Sequence, residues 1–188
     1  MATVVKVRKI TPVGEAKWAH IHEPKAGFVD PHGNAKGEPK YQIGIAFDPK
    51  DPAWNAWGKD MNAKLAALPQ QINKATGEKI AHQVLVRREL DREDQPTGRY
   101  YVTLKTGAKF KPGLFDRCNK PLPDGTMVGN KSKIRVAYTE NTYDAFGGGI
   151  NLYLDAVQVL ELVEFQARGA EAYGFAAEEA PAEDIAPF

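Results

Sequence analysis

Val5 and Val7 alternate with Lys6 and Arg8 in the opening MATVVKVRKI, the period-two pattern of a half-buried strand, and Thr11-Pro12 closes it. A second short strand is expected around Lys17–His22. The stretch EPKAGFVDPHGNAKGEPK after it is too polar and too rich in Gly and Pro to pack. Tyr41, Ile43, Ile45 and Phe47 then share one face, with Lys40, Gln42 and Gly44 opposite. At Asp51 the period changes: Asp51 caps, Pro52 presets the first helical residue and Pro69 ends the segment. Trp54, Trp57, Met61, Leu65 and Leu68 recur at helical spacing, so both tryptophans are expected in the core rather than on an exposed stacking face.

The second half returns to strands. His82–Leu90 is a strand candidate inside an ambiguous stretch from Gln70 to Thr97. In RYYVTLKTG, Tyr100, Val102 and Leu104 share one face, leaving Tyr101, Thr103 and Lys105 on the other. FKPGLFDRCNKPLPDGTMVGNKS reads as one long loop. KIRVAYTENTY puts Ile134, Val136 and Tyr138 inward and Lys133 and Arg135 outward. AFGGG makes a turn, and INLYLDAVQVLEL separates Ile150, Leu152 and Leu154 from Asn151, Tyr153 and Asp155. Strands, one capped helix and no βαβ alternation predict a mainly β fold: a small OB-type β-barrel with one inserted helix and long loops. Periodicity alone does not separate this barrel from other small ones. The barrel domain is expected over residues 1–166, followed by a flexible acidic tail over 167–188.

The 188 residues are 43% hydrophobic and 26% charged, the balance of a soluble globular protein. No apolar run approaches the roughly 18 residues of a membrane span, and the start lacks the apolar stretch of a signal peptide. A lone Cys118 forms no internal disulfide, so the expected setting is a reducing cytoplasm. The net charge of +1 hides a division. Residues 169–188 carry five acids and no base, and residues 1–168 carry +6. Eight bases against two acids lie between Lys105 and Arg135, which points to a polyanion partner unless the run is simply a solvated loop.

Catalytic patterns are missing. There is no phosphate-binding Gly-Lys-Ser/Thr loop and no Gly-x-Ser-x-Gly elbow. His20 and His22 flank Ile21 at a spacing compatible with a metal, but the sequence supplies no evident third ligand. Glu15-Ala16-Lys17 has the Glu-x-Lys form of one nuclease class with no Asp preceding it. No catalytic residue, metal or cofactor is expected.

Binding is better supported. Sequence-tolerant recognition of single strands needs cations along the phosphates and flat faces for the bases. YYVTLKTGAKFKPGLF offers Tyr101 beside Lys105, and Phe110 between Lys109 and Lys111. Lys133, Arg135 and Tyr153 complete the candidate set, with Trp18 a weaker member. These strands and the loop between them are expected to form one groove. The tail RGAEAYGFAAEEAPAEDIAPF, with Glu178, Glu179, Glu183 and Asp184, ends on Phe188. A terminal ring and carboxylate on such a segment make a plug for an apolar pocket rimmed by bases.

Four segments together resemble the phage-encoded single-stranded DNA-binding proteins of replication and recombination. They are KYQIGIAFDPKDPAWNAW, FKPGLFDRCNKPLPDGTMVGNKSKIRVAYTENTYD, GGGINLYLDAVQVLEL and the acidic end with Phe188. The resemblance covers roughly residues 1–165 in pattern, plus the tail. It implies sequence-tolerant binding of single-stranded DNA, no catalysis, and tail contacts to replication proteins such as a polymerase, helicase or primase in the cytoplasm of a host bacterium. It leaves a homo-oligomer open. The competing readings are a metal-dependent nuclease acting on DNA and a β-barrel interaction protein without nucleic acid.

Overall fold

The computed structural model describes residues 8–33 and 35–165. The chain runs through β1 (Arg8–Ile10), β2 (Gly14–Lys25), β3 (Phe28–Val29), β4 (Ala35–Lys36) and β5 (Lys40–Phe47) into helix α1 (Pro52–Ala66). It continues through β6 (Gln71–Ile72), β7 (Lys79–Ile80), β8 (Val86–Leu90), β9 (Pro96–Gly107), β10 (Gly113–Asp116), β11 (Lys133–Tyr143), a 3-10 turn (Ala145–Gly147) and β12 (Gly149–Glu161). Val5, Val7 and the acidic tail lie outside the described residues.

Five strands close on themselves in the order β2, β5, β9, β12, β11 and back to β2. The pairings are antiparallel except β9 with β12, which meet in parallel at Lys105 and Tyr153. This is an OB-type barrel, with α1 in the connection between β5 and β9. Of the predicted inward rows, Ile43, Ile45, Val102, Leu104, Ile134, Val136 and Leu154 are all at most 2% exposed, while Tyr100 is partly buried.

Helix α1 begins as its sequence dictates, the Asp51 carboxylate accepting from the Ala53 and Trp54 amides. Trp54, Trp57 and Met61 are its buried stripe, while Leu68 falls beyond its end at Ala66. Trp54 stacks on Phe47 with centroids 4.1 Å apart and donates through Nε1 to the Val13 carbonyl at 2.7 Å. Trp57 Nε1 donates to the Tyr138 hydroxyl at 2.9 Å. Both indoles are core residues whose polar atoms are satisfied.

Three local expectations need correction. β2 is twelve residues long instead of a short segment at 17–22, because its two halves pair with β5 across irregularities after Lys17 and His20. β8 starts at Val86, not His82, since His82 and Gln83 are held by the turn between β11 and β12. The long loop after Phe110 contains β10, which pairs in parallel with residues 156–159 of β12.

Candidate nucleic-acid interface

β9 is flanked by β8 along its first half and by β12 near Lys105, and the two flanking strands diverge between those points. A groove of about 420 Å³ opens there. Tyr101, Thr103 and Lys105 of β9 form its floor, Gln83, Val84, Leu85 and Arg87 one wall and residues 150–153 the other, with Lys40 and Gly107 at the edge. Strand register carries this face further: Tyr153 stands beside Lys105, Lys105 beside Gln42, and Gln42 beside His20.

Aromatic surface is available on it. Tyr153 is 42% exposed. Tyr101 is half-buried because Trp18 meets it edge-on, with centroids 5.2 Å apart and planes at 82°. Trp18 itself is 49% exposed. It sits at a β2 irregularity with φ 49°, its amide donating to Asn130 Oδ1 at 2.9 Å. Gly44 lets the β2 backbone approach closely beside it: a Cβ there would lie 3.1 Å from the Lys17 carbonyl oxygen.

The groove gathers several cations on one face. Lys40, Arg87 and Lys105 line it and Lys25 pairs in register with Lys40. None of the four makes an ion pair among the described residues. Burial, and then repulsion from Lys40, Arg87 and Lys25, hold the Lys105 ammonium below the usual lysine range. A site that gathers like charges around an exposed lysine favours an incoming anion.

Lys133 contrasts with this. Its ammonium binds Glu15 at 2.8 Å, Arg99 binds the other Glu15 oxygen at 2.7 Å, and Lys17 pairs with Glu89. Burial works against the charge on Glu15, yet the hydrogen bonds from Lys133 and Arg99 outweigh it and hold the carboxyl below its usual range. Lys133 thus stands outside the groove lining, paired with Glu15 of β2. Arg135 is exposed but stands opposite Gln158, further along β12 than Tyr153 and outside the groove lining.

The remaining candidates lie around the groove. Lys109 and Phe110 follow Gly107 in an exposed turn, closed by the Phe110 amide on the Gly107 carbonyl at 2.9 Å, and Phe110 is 71% exposed. Lys111 faces a second cavity of about 430 Å³ with His20, His22, Leu114 and Leu122. There His22 is held below the usual imidazole range by burial and by the Lys111 charge. Among the described residues no three His, Cys, Asp or Glu side chains converge as a metal site. Of the predicted set, the groove thus joins Tyr101, Lys105 and Tyr153. The tail residues Glu178, Glu179, Glu183, Asp184 and Phe188 lie outside the described residues.

Sequence reading missed Lys40 and Arg87 as binding candidates. Lys40 carried a signal, since it falls on the polar face of β5. Arg87 had none, because its strand lies in the ambiguous stretch and its position opposite Tyr101 depends on pairing with β9.

No protein-family model matches the chain, and no curated protein matches it. Solved structures do. The crystal structure of gp2.5, a single-stranded DNA binding protein encoded by bacteriophage T7, superposes with a TM-score of 0.61 at 19% identity, covering 93% of this chain and 97% of that one. The single-stranded DNA-binding protein from bacteriophage Enc34, in complex with ssDNA, gives 0.60 at 17% identity over 84% and 88% of the two chains. A C-terminal truncation of the Enc34 protein gives 0.57 at 16% identity over 84% and 87%. The OB-type barrel described above, with its inserted helix, is the fold of these phage-encoded single-stranded DNA-binding proteins.

Proposed function

We propose that this protein binds single-stranded DNA without sequence preference and protects it during phage replication and recombination. The observation that carries the reading is the groove itself. Lys40, Arg87 and Lys105, without ion pairs among the described residues, adjoin Tyr101 and Tyr153 on one face, the combination that tracks phosphates and stacks bases. The shared fold with the T7 and Enc34 proteins supports it. A duplex, whose bases are already stacked, gains nothing from the rings.

The domain is assigned to residues 1–166 and the tail to 167–188. The tail carries −5 between residues 169 and 188 and competes with DNA for the cations, and its end at Phe188 recruits replication proteins when DNA displaces it. The protein performs no catalysis and acts in the host cytoplasm.

Titration with poly(dT), poly(U) and duplex of equal length tests the reading. Tight binding of poly(dT), weak binding of duplex and an oligonucleotide left intact in Mg²⁺ are expected; equal affinity for duplex overturns it. Deleting residues 169–188 should tighten binding at low salt, and unchanged or weaker affinity removes the competing role of the tail.

A further inference from the structure

The turn between β11 and β12 presents Phe146 to solvent, 83% exposed. Its backbone sits at φ 54° and ψ 41°, a left-handed conformation that a bulky side chain rarely adopts. Nothing in the barrel requires that ring outside. Strained backbone persists where its surroundings hold it, and here the surroundings are specific.

Residues 71–83 clasp the turn from one side. Gln71 Nε2 donates to the Asp144 carbonyl, and Gln71 Oε1 accepts from the Gly147 amide at 3.2 Å. His82 Nδ1 meets the Gly147 carbonyl oxygen at 2.7 Å. Gln83 donates twice, from its backbone amide to the Gly148 carbonyl and from Nε2 to the Phe146 carbonyl, both at 2.8 Å. The approach is close enough that a Cβ on Gly147 would lie 2.3 Å from the Ala81 carbonyl oxygen. Five hydrogen bonds therefore fix a turn whose one large apolar side chain points away from the protein. Gln83 also lines the groove, as do Tyr143 and Ile150 on the two strands that the turn joins.

We propose that Phe146 is a preset stacking platform for an unpaired nucleobase at the end of the groove, with Gln71 and Gln83 as its positioning residues. The inference rests on the groove reading above and extends the site beyond the rings that line it. A rigid aromatic face gives up little freedom when a base stacks on it, and every base has a face to offer.

Affinity for poly(dT) at fixed salt, with melting temperature as the control for folding, tests it. Phe146→Ala should weaken binding about tenfold, and Phe146→Trp should restore affinity and add DNA-dependent quenching of indole emission over that of the unaltered protein. Gln71→Ala, at a residue outside the groove lining, should weaken binding in the unaltered protein but produce no further loss in Phe146→Ala, because both changes act through one ring. Additive losses overturn the clasp's role. Wild-type affinity in Phe146→Ala, alongside lost affinity in Tyr153→Ala, overturns the platform and leaves the groove standing. Absence of poly(dT) binding by the unaltered protein defeats the groove reading, and this inference with it.

Discussion

Tyr101 and Tyr153 both face the groove, but their surroundings set different consequences for removal. Tyr153 is exposed and touches no other ring among the described residues, so Tyr153→Ala should cost about 1–3 kcal/mol of DNA affinity with no measurable loss of stability. Tyr101 also positions Trp18 by its edge contact, so Tyr101→Ala should cost at least as much affinity and loosen the indole as well. Fluorescence titration with poly(dT) and a thermal melt separate the two effects. Lys105 gives a pH test at the same scale. Its ammonium is depressed by burial and by Lys40, Arg87 and Lys25, so it sheds its proton at a lower pH than an ordinary lysine. Phosphate favours the charged form, and DNA binding therefore takes up a proton as the pH approaches that lowered value. Affinity should fall as the pH rises from neutral toward the ordinary lysine range, and Lys105→Arg, charged throughout, should flatten the fall. An equal decline in both variants would detach the pH dependence from this side chain.

At the scale of elements, β2 packs closely against β5 and α1. A Cβ at Gly14 would lie 2.3 Å from the Ile45 side chain and 2.9 Å from the Ala46 carbonyl oxygen, and neither can retreat from a strand core. Gly14→Ala should destabilise the fold by about 1–3 kcal/mol, read as a lowered urea midpoint. Deleting the indole at Trp54 removes the Phe47 stack and the bond to Val13, and should cost about 3–5 kcal/mol. These elements were legible because their information is local: alternation marks β5, β9, β11 and β12, and Asp51-Pro52 marks the start of α1. β10 was not legible, since Gly113–Asp116 becomes a strand only by pairing with β12, some forty residues later in the chain. The same limit governs the site. Lys105 and Lys133 look alike in sequence, each outward on an alternating strand. What separates them is Glu15, 118 residues from Lys133, which neutralises one and not the other.

For the whole molecule, that difference becomes a prediction about salt. Each phosphate neutralised on a single strand releases counterions worth about 0.7 in the slope of log affinity against log salt. Lys40, Arg87 and Lys105 hold no carboxylate among the described residues, so every one is free to take a phosphate. Alanine at any of the three should lower the magnitude of the slope by about 0.7 and weaken poly(dT) binding chiefly at low salt. Lys133→Ala should leave the slope where it was, because its charge is already met by Glu15 and a bound strand would displace no ion from it. Its effect should appear instead as a stability loss of less than about 1 kcal/mol, the ordinary worth of a partly exposed ion pair. Net charge changes by the same amount in all four variants, so a general dependence on basicity would move them together. A slope that drops for Lys133→Ala and holds for Arg87→Ala would place the strand on the other side of the barrel.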